Sequence, residues 1–246
     1  GEAGKKTILT ALDSGYRLID TGQMYENEDI VGQAVKESGL ERKEVFLTTK
    51  LYRPCVTYEK AKAAIEKSLQ ALQTDYIDLL LIHEPYDSAL EMYEAMKEAY
   101  RAGKVRAIGI SNCKRRDWLE VLISCDVKPQ VQQDEFNPLR MNEYNRIFCE
   151  EHNIYFEAFS PLQRNGLAHH PLLNELAEQY GKEINQIILR WDVQHGITPV
   201  PRSANREHIF ANADIFDFEL SEADMKRIDS LNVEAISNRD MDNFNF

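Results

Sequence analysis

Short runs of apolar and β-branched residues alternate with amphipathic stretches along the whole chain. Seven runs predict strands, each followed by a helix: 17–21, 45–51, 76–82, 105–110, 130–135, 154–159 and 197–201. The run 76–82 is interpreted as a continuous apolar strand that is buried on both faces. The links are short and none is rich in Pro, Gly or Ser, so residues 1–246 are predicted to form a single domain with a parallel sheet.

Apolar residues at helical spacing predict the intervening helices. The clearest are 58–73, 89–102, 118–123, 143–152, 171–180, 183–195 and 206–213. A final helix is predicted to begin after Ser221, because Asp224 stands three residues later and completes a start that resembles a capping box.

Two architectures satisfy this alternation, a doubly wound sheet and a closed (β/α)8 TIM barrel. The nearly regular spacing favours the barrel, although seven strand–helix units are one short of eight. The chain opens inside a predicted helix, with Ile8, Leu9, Ala11 and Leu12 at helical spacing. We therefore expect the first barrel strand to precede Gly1 and the chain to be N-terminally incomplete.

Composition limits the choice of function classes. Hydrophobic residues make up 43% of the chain and charged residues 28%, as in ordinary globular proteins. The net charge of -12 disfavours nucleic-acid binding but still allows a local basic pocket for one small anion. No apolar run approaches the roughly 20 residues that a membrane span needs. The 4 cysteines form no CxxC pair, which predicts reduced thiols and a cytoplasmic protein.

Polar residues stand where the first three predicted strands end, and a barrel collects its reactive side chains at that end. Asp20, Lys50 and His83 hold these positions, and Tyr25 lies in the loop after the first strand. A tyrosine hydroxyl ionises near pH 10, but a lysine ammonium at about 4 Å favours the phenolate by about 1–4 kcal/mol. A buried lysine in turn needs a carboxylate, which Asp20 can supply. With His83 as a second donor to a carbonyl oxygen, the four residues predict a proton relay for a carbonyl that becomes an alcohol.

The later strands also end in polar or aromatic residues, which we expect to face the same open end of the barrel. They are Ser111 and Asn112, Gln133 and Glu135, Phe159 and Ser160, and Arg202 and Ser203. Taken alone, Asp20 could be a loop cap, Lys50 a solvated charge and His83 a core side chain. Their occurrence together at the ends of three successive strands favours a functional site.

The same residues carry a family resemblance. Residues 15–21 and 25–28 resemble the first signature of the aldo-keto reductases. Further segments are similar to the family's later motifs and follow its order: 48–51, 81–85, 103–112, 131–138, 159–162, and 199–203 followed by Asn212. The chain most resembles the NADP-dependent, bacterial 2,5-diketogluconate-reductase-like branch.

The resemblance implies NAD(P)H-dependent reduction of an aldehyde or ketone on a (β/α)8 barrel. Tyr25 would be the proton donor, Lys50 with Asp20 would tune its acidity, and His83 would orient the carbonyl. Phe159 would stack on the nicotinamide ring. The other residues that the resemblance assigns to cofactor binding are Ser111, Asn112 and Gln133 at the carboxamide, Ser160 and Leu162 in the sixth motif, and Arg202, Ser203, His208 and Asn212 around the adenosine and its 2′-phosphate.

Five positions depart from the family's usual residues. Glu26 replaces Gly, Glu84 replaces Trp, and Phe159 replaces Tyr without loss of a ring face for stacking. Glu84 predicts a pocket for a polar or cationic substrate, unless its side chain points to solvent. Arg202 replaces Lys and can grip a phosphate with two hydrogen bonds, whereas His208 replaces Arg and attracts phosphate less. NADPH is the predicted cofactor, and NADH use stays possible.

Other function classes leave weaker traces in the sequence. A cofactor-binding sensor on the same barrel is the main alternative, but the intact set of four catalytic candidates favours an enzyme. A metal-dependent hydrolase would need clustered ligands at strand ends, and only His83 qualifies among the histidines, so no metal is predicted. His169 and His170 are expected in a solvated loop. The predicted partner is a small carbonyl compound, with no nucleic acid and no membrane, and the family resemblance implies a monomer.

Overall fold

The computed structural model describes residues 1–86, 88–113, 116–163 and 166–235. These residues fall into two compact units. The first comprises residues 1–133 and 152–155, and the second comprises residues 134–151 and the chain from residue 156 onward. No helix in the described ranges is long and apolar enough to cross a membrane.

The first unit alternates helices with parallel strands. Its elements are α1 (Glu2–Asp13), β1 (Leu18–Asp20), α2 (Glu28–Glu37), β2 (Phe46–Leu51), α3 (Tyr58–Ala71), β3 (Ile77–Ile82), α4 (Ala89–Arg101), β4 (Val105–Ser111), α5 (Arg116–Ile123) and the first three residues of β5 (Val131–Glu135). The strands pair in chain order, because Asp20 lies opposite Thr48, Lys50 opposite Leu81, and Ser111 opposite Gln133. This register brings the C-terminal ends of β1 to β4, and Gln133 on β5, to the same edge of the sheet.

The second unit is mainly helical. Its elements are α6 (Glu143–Glu151), β6 (Tyr155–Phe159, except its first residue), α7 (Pro171–Tyr180), α8 (Ile184–Gln194), β7 (Thr198–Val200), α9 (Arg206–Ala213) and α10 (Glu222–Asp229). Strands β6 and β7 are parallel, with Phe159 opposite Val200.

All seven predicted strands are present, and their ends lie within two residues of the predicted ones. The predicted start of α10 is correct only in part. Ser221 caps the helix, because its hydroxyl accepts a hydrogen bond from the backbone N–H of Asp224 at 3.1 Å. The reciprocal half of the box is missing, since the backbone N–H of Ser221 donates instead to the hydroxyl of Tyr180 at 3.0 Å.

Strand β3 is fully buried, as predicted, but it is not wholly apolar. Asp78 lies inside it and is only 3% exposed. Its carboxylate accepts hydrogen bonds from Arg42 at 2.7 Å, from the backbone N–H of Leu47 at 3.0 Å and from Arg106 at 3.2 Å. These donors compensate the buried carboxylate. The residue pattern shows Asp78 but does not show which groups would compensate it.

Close approach of β4 and β5 requires a glycine. A Cβ atom added to Gly109 would lie 2.0 Å from the carbonyl oxygen of Val131 on the next strand. Any larger residue would push the strands apart, and Ser111 and Gln133 lie on those two strands.

Asp192 on α8 is a buried acid without compensation. Its side chain is 0% exposed, and neither carboxyl oxygen has a hydrogen-bond partner in the described part of the chain. Burial therefore raises the pKa of Asp192 well above its ordinary value, so the folded protein favours the protonated acid. Above the ordinary pKa near 3.9, the unfolded chain ionises first, and the free energy of unfolding falls by up to about 1.4 kcal/mol per pH unit until the folded-state pKa is passed.

We expect Asp192→Asn to flatten the loss of stability that begins above about pH 4, because the amide does not titrate. Urea unfolding at several pH values measures this slope for the wild type and the variant. Asp75→Asn is the control, since Asp75 is exposed. Equal slopes for the wild type and Asp192→Asn would contradict the assignment.

Candidate active site

Four polar side chains meet at the C-terminal edge of the first unit. Asp20 is the last residue of β1, Lys50 is the penultimate residue of β2, and His83 follows β3 directly. Tyr25 ends a short 3-10 turn formed by Gln23–Tyr25. Each of the first three positions follows from the parallel register, whereas Tyr25 depends on the conformation of its turn.

Lys50 and Asp20 form a buried ion pair. The Lys50 side chain is 2% exposed and that of Asp20 is 10% exposed. The Lys50 ammonium donates to Asp20 Oδ1, and it also donates to the backbone carbonyl of Thr21 at 2.9 Å. A charge removed from water to this degree needs such partners to remain ionised.

Tyr25 lies beside this pair and reaches the surface. Its Oη atom is 3.4 Å from Nε2 of His83, and the two rings meet edge to face with centroids 5.4 Å apart. The Lys50 Nζ atom is 5.5 Å from the centroid of the Tyr25 ring. Tyr25 is 45% exposed whereas His83 is 1% exposed, so an incoming molecule can reach the phenol from outside. The structure thus brings the four predicted residues together.

A second group, predicted to hold the nicotinamide carboxamide, lies next to the first. Asn112 adopts a left-handed conformation with φ 57, and its Nδ2 donates to the His83 carbonyl and to Ser111 Oγ, both at 3.0 Å. Its Oδ1 atom is buried and has no donor within the described ranges. Gln133 Nε2 donates to Asp20 Oδ2 at 2.8 Å, which joins this group to the ion pair.

The remaining cofactor candidates belong to the second unit. Phe159 ends β6, and Ser160 follows it with φ 51, while Leu162 is half-buried. Arg202 and His208 are exposed. Asn212 on α9 is 4% exposed, and its Oδ1 atom has no donor among the residues that the structure describes.

Glu26 and Glu84 both replace the residue that is usual in the family, and they lie in different surroundings. Glu26 directly follows the 3-10 turn and lies in the left-handed region with φ 50, a conformation that glycine adopts more easily. Glu84 is half-buried after His83, and its proposed contact with substrate stays a prediction.

Sequence reasoning missed two contacts of the site. The carbonyl of Thr21 accepts from Lys50, and Gln133 donates to Asp20. The first is a backbone group, which no side-chain pattern reveals. The second joins residues that are 113 positions apart in sequence.

Two of the cysteine thiols are unsuited to nucleophilic chemistry, and the described part of the chain holds no cluster of metal ligands. Burial raises the pKa of the Cys55 thiol and raises that of Cys149 to about 12, so both stay protonated near neutral pH. No group of three or more His, Cys, Asp or Glu residues could hold a metal ion within the described ranges.

Comparison with known proteins identifies the class of this enzyme. Residues 2–233 match the aldo/keto reductase family. The chain belongs to that family and is an oxidoreductase that reduces carbonyl groups.

Several relatives span almost the whole chain. Glyoxal reductase of Bacillus subtilis (strain 168) is 43% identical over 94% of this chain and 84% of its own length. The crystal structure of an aldo-keto reductase from a deep-sea metagenome library of the Medee basin has a TM-score of 0.93 and 39% identity, and covers 96% of this chain and 89% of its own. The Bombyx mori aldo-keto reductase in complex with NADP has a TM-score of 0.89 and 31% identity, and covers 99% and 88% respectively.

These likenesses confirm the predicted fold class, the (β/α)8 barrel of the aldo-keto reductases. The predicted strand before Gly1 and the 2,5-diketogluconate-reductase-like branch stay predictions. The relatives above are named as reductases, and none of those names supports the alternative of a cofactor-binding sensor.

We expect Asp20→Asn to lower the free energy of unfolding by about 3–5 kcal/mol, because it leaves the Lys50 ammonium buried without its counter-charge. Urea unfolding at neutral pH measures the loss. The double variant Asp20→Asn/Lys50→Met removes the charge as well and should recover most of it. A single variant as stable as the wild type would show that the pair is effectively solvated.

Proposed function

We propose that this chain reduces aldehydes and ketones to alcohols with NADPH, and that Tyr25, Lys50, Asp20 and His83 are its catalytic residues. The observation that supports this best is the 3.4 Å approach of Tyr25 Oη to His83 Nε2. The buried Lys50–Asp20 pair adjoins it. The accessible Tyr25 hydroxyl therefore lies near two buried groups, the His83 imidazole and the Lys50–Asp20 ion pair, which can influence its proton transfer.

Each catalytic residue has a distinct task in the proposed reaction. NADPH, when bound, supplies the hydride that reduces the carbonyl carbon. The Tyr25 hydroxyl gives its proton to the carbonyl oxygen, which completes the alcohol. The Lys50 ammonium stabilises the phenolate left behind, and Asp20 keeps that ammonium charged. His83, protonated at Nε2, donates a hydrogen bond that orients the carbonyl oxygen.

Two buried oxygen atoms support the proposed cofactor. Asn112 Oδ1 and Asn212 Oδ1 both lack a donor in the described part of the chain. Buried acceptors without donors are costly, and an amide or amino group of a ligand would satisfy them. We assign Asn112, with Ser111 and Gln133, to the nicotinamide carboxamide and Asn212 to the adenine amino group.

The other cofactor assignments follow from side-chain chemistry. The Phe159 ring is suited to stacking on the nicotinamide. Arg202 is exposed and has no ion pair within the described ranges, so its guanidinium is available for a 2′-phosphate. The remaining residues that we assign to cofactor binding are Ser160, Leu162, Ser203 and His208.

We propose small, polar carbonyl compounds as substrates, including dicarbonyls of the glyoxal type. The name of the glyoxal reductase relative supports this choice. The carboxylate of Glu84 after His83 supports it too, because a bulky apolar substrate would have to desolvate that charge. We further propose that residues 1–246 belong to one domain, and that the enzyme is monomeric, acts in the cytoplasm and binds neither nucleic acid nor membrane.

We expect Tyr25→Phe to abolish reduction of glyoxal while NADPH still binds, because the variant loses only the hydroxyl that supplies the proton. Absorbance at the nicotinamide band follows turnover, and quenching of protein fluorescence measures cofactor affinity. Retention of more than a tenth of the wild-type kcat would refute Tyr25 as the proton donor.

We expect Arg202→Leu to weaken NADPH binding by about 10- to 100-fold, since a charge-assisted hydrogen bond to phosphate contributes about 1.5–3 kcal/mol. NADH binding should stay unchanged, because NADH lacks the 2′-phosphate. Arg206→Leu is the matched control, as the Arg206 guanidinium already lies 4.7 Å from the centroid of the Phe210 ring. Equal losses for both cofactors would contradict the assigned role of Arg202.

A further inference from the structure

The turn that carries Tyr25 is weak on its own. It contains only three residues, and two backbone hydrogen bonds close it, from Tyr25 N–H to Gly22 O at 2.9 Å and from Glu26 N–H to Gln23 O at 3.2 Å. Short 3-10 turns have poor hydrogen-bond geometry. Tyr25 is also half-exposed, so packing of its own ring fixes it only on one side.

The side chain of Gln23 anchors this turn to two other elements. Its Nε2 atom donates to the backbone carbonyl of Ala64 at 3.1 Å and to Ser68 Oγ at 2.8 Å, both on α3. Its Oε1 atom accepts a hydrogen bond from the Cys55 thiol at 3.2 Å, in the segment that follows β2. Both ends of the amide are therefore engaged.

The other residues of the turn cannot replace this anchor. Met24 is 45% exposed. Beyond the turn, Asn27 Oδ1 accepts a hydrogen bond from Thr21 Oγ1 at 2.6 Å, which joins the residues on either side of the turn but does not tie the turn to α3. Gln23 is the turn residue whose side chain is tied to α3.

We propose that Gln23 is a positioning residue for Tyr25. Its amide holds the 3-10 turn against α3 and the Cys55 segment, and thereby keeps the Tyr25 hydroxyl beside His83 and Lys50. The inference rests on the proposed function, since the consequence of misplacing Tyr25 is a slower proton transfer. A displacement of about 1 Å at a reacting group can reduce a rate by about 100-fold.

Gln23→Met tests this role, because methionine has a similar length but makes none of the three hydrogen bonds. We expect kcat for glyoxal reduction to fall by about 10- to 100-fold. The KM for NADPH should change by less than about twofold, because the variant leaves the assigned cofactor residues untouched. A loss of folded protein would also lower the apparent kcat at an unchanged KM, so kcat is expressed per folded molecule, counted by titration with NADPH.

Two further variants distinguish positioning from a loss of stability. Ser68→Ala removes one acceptor of the Gln23 amide and should lower kcat by about threefold, with no additional effect when combined with Gln23→Met. Thr57→Ala removes the hydroxyl that caps α3 by accepting from Lys60 N–H at 3.4 Å. It should lower the melting temperature and leave kcat unchanged.

The outcomes separate this inference from the proposed function. An inactive wild type would refute the function, whatever Gln23 does. An active wild type with unchanged kcat in Gln23→Met would refute the positioning role alone. A loss of kcat in Thr57→Ala as large as that in Gln23→Met would also refute it, because general weakening of α3 would then explain both. If Gln23→Met does not fold, an unchanged kcat in Ser68→Ala is the result that overturns the proposal.

Discussion

The candidate site depends on one interaction, the compensation of the Lys50 ammonium inside the protein. A cation that is 2% exposed has lost most of its hydration and must be stabilised by nearby acceptors. The Asp20 carboxylate and the Thr21 carbonyl supply them from the end of β1. The same three residues therefore tie the first strand to the second and set the field in which Tyr25 lies.

The site combines a rigid inner face with an accessible outer one. Lys50, His83 and Asn112 are buried and linked to strand ends, so their positions follow from the parallel register of the sheet. Tyr25 instead stands on a short turn and is half-exposed. Its exposure suits Tyr25 to meet a substrate from solvent. The orientation of Tyr25 then depends on the residues that hold the turn.

Several buried oxygen atoms lower the stability of the fold because they lack hydrogen-bond donors among the described residues. Asn112 Oδ1 and Asn212 Oδ1 lack donors in the described ranges, and so do both oxygen atoms of Asp192. For the two asparagines, the proposed cofactor offers a reason, since its amide and amino groups would complete their hydrogen bonds. Nothing in the described structure explains Asp192 in this way, and its burial favours the protonated acid.

The sequence by itself determined where the strands lie and which polar residues end them, because apolar runs and the residues that follow them are local properties of the chain. Asp78 is visible within the predicted strand, but periodicity did not reveal its compensation, which comes from Arg42, Leu47 and Arg106 on other segments. Only the tertiary structure joined Gln133 to Asp20 and Gln23 to α3. Such contacts depend on register and on the conformation of a turn, and neither is encoded in the spacing of residue types.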